Sequence, residues 1–413
     1  MTINPRTRSG GVEYPARGNV FREIAAVSHR IRGESGRPGI GGRELGHLPV
    51  ILGLGAIWIY FETQDSHFLT ALNLSNLVLQ VSVTATISIG VVLVLLAGEI
   101  DLSVGSVAGV CSALLGVVMA NHGWPWWAAI AVMILSGAAI GVFQGAWRAF
   151  VGVPSFIVTL AGLLGWQGLQ IHVLGINGTV NVFDSHIETI ATTYLPSLWG
   201  WALGIAGTFL YAIVHAVRVM RRRQTGLLVQ PVTALAGRVI AHAALVLGSV
   251  AVMNHASGVP TAGVIVVGLA IYFSWLTTRT RFGRHIFAVG GNAAAARRVG
   301  INLAWVRVAV FALAGTLSAI GGLLLVSRSA AAGTDTGGGP LLLEAIAAAV
   351  IGGTSLFGGR GSVWGAILGA LVVGSVANGL DLVGQPADVT LMVEGAILLV
   401  AVSIDAAVRR QKA

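Results

Sequence analysis

The chain has 413 residues, of which 55% are hydrophobic and only 10% are charged, and it carries 25 basic against 16 acidic side chains. Soluble globular domains carry about 25% charged residues, so this composition excludes an ordinary soluble fold. Repeated runs of about 20 apolar residues predict membrane-spanning helices. The predicted fold class is therefore an all-α polytopic membrane protein with about 10–12 transmembrane helices, some of them broken or re-entrant.

The N-terminal region differs from the rest of the chain. Residues 1–47 contain eight arginines, four glutamates and nine glycines, a composition too polar to bury a core. We expect a disordered cytoplasmic tail here, and the alternative is an interfacial helix at 19–32 on anionic lipid. Residues 48–406 are predicted to form the transmembrane domain, with a polar loop at 278–304, and residues 407–413 a short basic cytoplasmic tail.

The apolar segments number twelve. In chain order they lie near 48–65, 74–97, 102–120, 126–148, 153–172, 199–217, 238–254, 259–277, 305–327, 341–357, 362–382 and 387–405. A polar stretch at 173–198 separates the fifth segment from the sixth.

The basic residues predict the orientation. Apart from Arg328 and Arg360, they lie in the N-terminal tail, at Arg148, at 218–238, at 279–307 and in the final "RRQK". Twelve spans place all these clusters on one side, which the positive-inside rule makes cytoplasmic together with both termini. The acidic "GEID" at 98–101 falls on the same side, which is unexpected unless the helix breaks within the membrane.

The stretch "LLAGEIDLSVGS" at 95–106 places two carboxylates between apolar runs. Acidic residues in such positions usually face a bundle interior or an aqueous cavity. Glu99, Asp101 and Ser103 are therefore candidates for the path of a solute. The alternative is a structural junction in which Asp101 and Ser103 cap a helix that starts at Leu102.

Further polar residues interrupt other apolar segments. Thr159 and Gln167, in "GVPSFIVTLAGLLGWQGLQ" at 152–170, would line a pore and bond a hydroxylated solute, or would bond a neighbouring helix. Glu344 and Asn378 are additional candidates for the path. The two GG pairs in "AIAAAVIGGTSLFGGRGSVWGAILG" at 345–369 predict a broken helix with Arg360 on a tight turn.

The stretch "GGNAAAARRVGI" at 290–301 predicts a short helix. Asn292 is a good N-cap, the alanines are strong helix formers, Arg297 and Arg298 suit the last turn, and Gly300 suits the position after it. A helix this short is not stable alone and should dock on another surface. That surface is either the lipid headgroups or a cytoplasmic partner protein.

Four motifs together resemble the permease subunit of ATP-binding-cassette importers of the monosaccharide (ribose/xylose-type) family. They are "AGEIDLSVGS" at 97–106, "VPSFIVTLAGLLGWQGL" at 153–169, "TRFGRHIFAVGGNAAAARRVGIN" at 280–302 and "AIAAAVIGGTSLFGGRGSVWGAILGALV" at 345–372. The basic insertion around 218–238 with two flanking spans is similar to the xylose-type branch. The long arginine-rich tail departs from the pattern, and the family's usual "GGIDLS" reads "GEIDLS" here.

The resemblance implies a role for the loop and a set of partners. The segment 280–302 corresponds to the cytoplasmic coupling loop, so Arg284, Asn292, Arg297, Arg298 and Gly300 would contact an ABC ATPase subunit. An extracytoplasmic sugar-binding protein would deliver the substrate, and a second copy of the chain would complete the pore. The substrate would be a neutral monosaccharide, D-xylose or another pentose, crossing a bacterial cytoplasmic (inner) membrane.

The chain itself is not predicted to be an enzyme. Its only lysine is Lys412, so it contains no GxxxxGK[ST] phosphate loop, and ATP and Mg would bind to the partner ATPase rather than to this chain. No metal ligand set is predicted, because the histidines are scattered singly, and no nucleic-acid partner is expected. The alternative function is a proton-coupled secondary sugar transporter with Glu99 and Asp101 as the relay. A membrane-embedded enzyme acting on lipid substrates is a poorer fit.

Overall fold

The computed structural model describes residues 48–226 and 231–410. The predicted N-terminal tail and the interfacial helix at 19–32 lie outside the described residues. The last three residues of the predicted basic C-terminal tail also lie outside them.

The described residues fold into α-helices with four very short strands. The first group of helices runs α1 Leu48–Gln64, α2 Ala71–Leu96, α3 Val104–Ala120, α4 Trp126–Ala146 followed by a π-helical turn Trp147–Val151, and α5 Ser155–Leu174. Then come β1 Thr179–Asn181, α6 Ser185–Thr192, β2 Tyr194–Leu195, α7 Ser197–Gln224, α8 Val232–His255, β3 Val259–Pro260 and α9 Thr261–Arg279. The remainder is α10 Arg281–Gly291, α11 Ala293–Arg298, α12 Leu303–Ser329, β4 Ala331–Gly333, α13 Gly339–Ile351, α14 Val363–Leu382 and α15 Ala387–Arg410.

All twelve predicted apolar segments are helical. Within the described residues, eight helices are long and apolar enough to cross a membrane, and α1, α3 and α13 are shorter apolar helices. This confirms the predicted class of an all-α polytopic membrane protein. The segment expected at 341–357 ends at Ile351, because Gly353 adopts a positive φ of 87° that turns the chain out of the helix.

Proline sets the start of five helices. Each of α4, α5, α7, α8 and α9 directly follows a proline, which has no N–H for a preceding helix and a fixed φ; the five are Pro125, Pro154, Pro196, Pro231 and Pro260. Four of these helices begin within two residues of the predicted starts, whereas α8 begins at Val232, six residues before the predicted start at 238.

The stretch at 173–198 is more ordered than a simple loop. β1 pairs antiparallel with β4, and β2 pairs with β3. Between them Asp184 caps α6 by accepting from the amides of His186 at 2.8 Å and Ile187 at 3.3 Å. Short ladders of this kind satisfy backbone groups of the connections at this end of the bundle.

The core is built around α2, whose residues from Val81 to Leu96 are all buried. α12 packs against it on one side and against α4 on another. The α4–α12 contact depends on glycine, since a Cβ at Gly137 would lie 2.5 Å from the Gly315 carbonyl oxygen and a Cβ at Gly315 would overlap the Gly137 carbonyl oxygen. Close backbone approach through small residues is how membrane helices gain packing energy.

The helices α7 and α8 form a hairpin with little buried surface. They pack on each other through Gly200 and Gly204, and the Tyr211 ring contacts those of His215 and His242 at centroid distances of 4.1 and 4.0 Å. This hairpin is the basic insertion that the sequence predicts, with two helices flanking residues 225–231.

Candidate functional site

The polar break between α2 and α3 is the centre of the site. The chain leaves α2 after Leu96, turns at Gly98 with φ 75°, and re-enters a helix at Val104. Asp101 accepts hydrogen bonds from the Ser103 amide at 2.8 Å and the Ser103 hydroxyl at 2.7 Å. Asp101 thereby closes a turn at residues 101–103 before the helix, which begins at Val104 and not at Leu102. The predicted capping by Asp101 and Ser103 is wrong, because Ser103 is the N-cap residue and no side chain bonds to the first amides of the helix.

Ser103 joins the break to α4. It is fully buried, and Gln144 donates to its hydroxyl oxygen at 2.8 Å. Together with Asp101 these side chains form a closed network inside the bundle. Gln144 was not among the predicted residues, because its partner lies 41 positions away in sequence and no local pattern relates the two.

Thr159 and its neighbour Ser155 join the break to α5. The amide of Ile100 donates to the Ser155 hydroxyl at 3.1 Å, and the amide of Leu102 donates to the Thr159 hydroxyl at 3.0 Å. Both side chains are buried. They satisfy backbone donors that the broken helix leaves without an intrahelical acceptor. Thr159 therefore holds the break in place.

Glu99 forms an ion triad with Arg148 and Arg307. Its Oε2 lies 2.8 Å from Arg148 Nε and its Oε1 lies 2.6 Å from Arg307 Nε. The Glu99 side chain is 4% exposed, and those of Arg148 and Arg307 are 21% and 15% exposed. The triad explains why an acidic turn lies on the basic side of the protein: two arginines neutralise it.

Three of the motif segments meet beside the triad. The Gly359 amide donates to the Leu96 carbonyl at 3.1 Å. A Cβ placed on Gly98 would lie 3.4 Å from Gly290 Cα, and a Cβ on Gly290 would overlap the Leu96 carbonyl oxygen. The break, the end of α10 and the glycine turn at 358–361 are thus in backbone contact, which requires glycine at these positions.

The short helix predicted at 292–299 is present as α11. Asn292 caps it by accepting from the Ala295 amide at 2.9 Å, and Gly300 follows it with φ 84°. The sequence did not predict α10, the amphipathic helix that precedes it. Ala296 anchors α11 by its buried side chain.

The residues predicted to contact an ATPase subunit are all exposed to solvent. They are Arg284, Asn292, Arg297, Arg298 and Gly300. Val299, at the end of α11, is 76% exposed. An exposed surface with arginines and an apolar residue is suited to docking on a partner.

A small cleft with a mixed polar and apolar lining lies between α3, α5, the segment before α13 and the start of α13. Its lining consists of Ser106, Leu163, Gln167, Gln170, Thr334, Gly337, Gly338, Gly339 and Leu342. Gln170 is buried and its amide donates to the carbonyls of Gly333 at 2.7 Å and Thr336 at 2.9 Å. Of the predicted path residues only Gln167 lines this cleft. Ser106 and Gln170 were missed, although each is the last residue of a quoted stretch, at 95–106 and 152–170.

The remaining predicted path residues bond to α2. Thr84 donates to Glu344 Oε2 at 2.9 Å. Asn73 and Asn378 exchange hydrogen bonds of 2.9 and 3.2 Å, and Asn378 also donates to Gln80 at 3.4 Å. Within the described residues, no three His, Cys, Asp or Glu side chains are grouped to hold a metal ion.

A bundle of apolar helices with an embedded polar break, a small cleft that includes two glutamines, and an exposed basic helix is an arrangement suited to a multi-pass membrane transport protein. Comparison with known proteins also places the chain among membrane transport permeases. The family profile "Branched-chain amino acid transport system / permease component" matches residues 73–402. The chain belongs to this family, and it is accordingly a multi-pass protein of the inner membrane.

Individual relatives are similar over most of their length. The xylose transport system permease protein of Escherichia coli is 40% identical over 364 residues, covering 88% of this chain and 92% of the relative. Its counterpart in Haemophilus influenzae is 37% identical over 86% and 95% of the two chains. The ribose import permease protein of E. coli is 33% identical over 83% and 88%. The resemblance to ribose/xylose-type permeases is thereby confirmed. No solved structure matches the chain.

Proposed function

We propose that this chain is the permease subunit of an ATP-binding-cassette importer that moves a neutral pentose, D-xylose as the first choice, into the cytoplasm. Separate ATPase subunits energise the transport, ATP and Mg bind to those subunits, and an extracytoplasmic binding protein delivers the sugar. Both termini lie in the cytoplasm, on the side of α11. The choice of sugar rests on the similarity to xylose transport system permease proteins.

The observation that carries the proposal is the attachment of an exposed basic helix to the membrane-embedded break. α11 presents Arg297 and Arg298 outward, and the preceding helix α10 contacts the break through Gly290. A chain with no phosphate loop must receive the energy of ATP from another subunit. A docking helix in contact with the interior of the bundle provides the place at which that energy enters.

The cleft supports a neutral hydroxylated solute. The side chains that line it include no charged group. Gln167 offers its amide, while the Ser106 hydroxyl and the Gln170 NH2 already donate to backbone carbonyls and leave their oxygens as acceptors. Amide and hydroxyl groups can donate to and accept from sugar hydroxyls. Gln167 is also exposed on α5. On the same helix no atom of this chain lies within 4 Å of a Cβ added at Gly165 or at Gly168, so this part of the surface is uncovered. We place the second copy of the chain against this face, where small residues permit close packing.

Proton-coupled transport is the second candidate, and the ion triad argues against it. A relay carboxylate must exchange protons with an aqueous path. Both oxygens of Glu99 are engaged by arginines, and Asp101 is bonded twice to Ser103.

The first experiment is co-purification of the ATPase subunit with the tagged chain in mild detergent. The test variant is Arg297→Glu/Arg298→Glu. The matched control is Arg221→Glu/Arg222→Glu, which reverses two equally exposed arginines at the end of α7. We expect the control to retain the ATPase and the test variant to lose it.

Uptake of labelled xylose into liposomes containing the whole complex completes the test. We expect uptake to require ATP and the binding protein and to survive collapse of the proton gradient. Uptake that needs only the proton gradient, or equal retention of the ATPase by both charge-reversal variants, would refute the proposal.

A further inference from the structure

The ion triad is an expensive feature. Burying charged groups costs solvation energy, and buried ion pairs can often be replaced by apolar residues without loss of stability. Stability alone therefore gives a weak reason for Glu99, Arg148 and Arg307 to meet inside the bundle. The two arginines are held by different elements, so each can serve a different purpose.

Arg307 belongs to the same local unit as α11. Only residues 299–302 separate α11 from α12, and the Ile301 amide donates to the Ala296 carbonyl at 3.1 Å. Asn302 then caps α12 by accepting from the Trp305 amide at 3.0 Å. A displacement of α11 must therefore displace the start of α12 and with it Arg307, which lies in the second turn of that helix.

Glu99 belongs to the break, and the break is bonded to α5. The residues directly after Glu99 donate from Ile100 to Ser155 and from Leu102 to Thr159. α5 also carries Gln167 and Gln170 to the cleft. A displacement of Glu99 is thus transmitted through two hydrogen bonds to the helix that lines the cleft.

The two contacts between α10–α12 and the break differ in kind. The Gly98–Gly290 contact is van der Waals packing, which resists compression but exerts little pull. The Glu99–Arg307 contact is a close, largely buried ion pair without hydrogen-bond geometry at Arg307 Nε, and its electrostatic attraction resists separation as well as compression. Arg148 lies on the π-helical turn after α4, and no described hydrogen bond joins it to α11.

We propose that the Glu99–Arg307 ion pair is the joint through which movement of α11 reaches the break and the cleft, while Arg148 takes no part in that transmission. Glu99 and Arg307 are positioning residues under this proposal. The proposal rests on the proposed function, because it assumes that α11 is moved by an ATPase subunit.

The test compares Arg307→Met with Arg148→Met in the reconstituted complex of the chain, its ATPase subunits and its binding protein. Each substitution removes one arginine and leaves a neutral pair with Glu99, so an effect that comes only from charge would be the same in both. Glu99→Gln is the third variant. The measured quantity is the amount of xylose taken up per ATP hydrolysed.

We expect Arg307→Met and Glu99→Gln to retain the ATPase subunit and to hydrolyse ATP, while uptake per ATP falls about tenfold, within the usual range of coupling between sites. Arg148→Met should remain within about twofold of the unsubstituted protein. Equal loss in the two arginine variants, or an unchanged ratio in Arg307→Met, would overturn the proposal. If a Met variant does not accumulate, Arg307→Lys and Arg148→Lys take their places, with the same order expected.

Hydrogen exchange gives a readout that a merely structural role would not change. ATP binding should alter amide exchange at both 281–302 and 97–103 in the unsubstituted complex, and only at 281–302 in Arg307→Met. An ATP-dependent change of amide exchange at 97–103 that persists in Arg307→Met would refute the proposed role of the Glu99–Arg307 pair. Absence of ATP-dependent uptake by the unsubstituted complex would instead refute the proposed function, so the two failures are distinguishable.

Discussion

Gly290 offers the sharpest test of how α10 is fixed to the break. A Cβ on Gly290 would overlap the Leu96 carbonyl oxygen and lie 2.7 Å from the Gly359 amide nitrogen, whereas a Cβ on Gly291 would meet nothing within 4 Å. Both glycines lie in the last turn of α10. Gly290→Ala and Gly291→Ala are therefore a matched pair that differs mainly in contact with the break.

The expected effects have opposite signs. An alanine in a helix is favoured over glycine by up to about 1 kcal/mol, so Gly291→Ala should be neutral or slightly stabilising. Gly290→Ala gains the same propensity but forces two backbone segments apart, which costs about 1–3 kcal/mol. It also breaks the bond from Gly359 to Leu96, and each buried group left unsatisfied costs about 1–3 kcal/mol. We expect a net destabilisation of about 3 kcal/mol.

The assay is SDS titration of the purified protein in mild detergent, followed by tryptophan fluorescence. Gly290→Ala should unfold at a lower SDS fraction than the unsubstituted protein, and Gly291→Ala should not. Equal midpoints for the two alanine variants would show that the backbone contact between α10 and the break is not present in the folded protein.

Two further predictions concern the polar pairs. Asn73→Ala and Asn378→Ala should each lower the free energy of unfolding, because each change leaves the other amide without its partner. The double variant should lose less than the sum of the two losses, by about 0.6–1.7 kcal/mol. Additive losses in the same SDS assay would contradict the pairing. Gln170→Met should raise the rate of amide hydrogen exchange at 333–336 more than at 179–181, because the Gln170 amide donates to the Gly333 and Thr336 carbonyls. An unchanged exchange rate at 333–336 would show that other contacts hold the segment.

The sequence predicted the helices well because in a membrane the chain must satisfy its own backbone. Any long apolar run is forced into a helix, and proline and glycine mark its ends. Three boundaries were wrong by six or seven residues: α7 ends at Gln224 and not near 217, α8 begins at Val232 and not near 238, and α13 ends at Ile351 and not near 357. The first two arose because the helices continue into the polar, arginine-containing stretch, and the third because hydropathy alone could not weigh the positive φ at Gly353. α10 was missed because its sequence mixes basic, apolar and glycine residues, so it does not stand out as an apolar run and was taken as part of the loop.

The site was less predictable, since its contacts are between residues distant in sequence. Thr159 and Asn378 were singled out as polar residues in apolar helices, yet the sequence did not indicate that they bond to the break and to Asn73. Arg307 was recognised only as one of the charges that set the orientation. Its partner is 208 positions away (307 − 99), and a single sequence contains no pattern that connects them.

The acidic turn on the basic side shows how two sequence rules combine. The positive-inside rule gathers arginines on this side of the protein, and the cost of buried charge disfavours Glu99 at its position unless it has a partner. The structure satisfies both, because Glu99 is buried against two of the arginines that the first rule places there. A lone carboxylate among clustered arginines in a membrane sequence is therefore best interpreted as a partner of those arginines, and the search for a proton or solute path should begin with the polar residues that have no such partner nearby, which here are the amides and hydroxyls of the cleft.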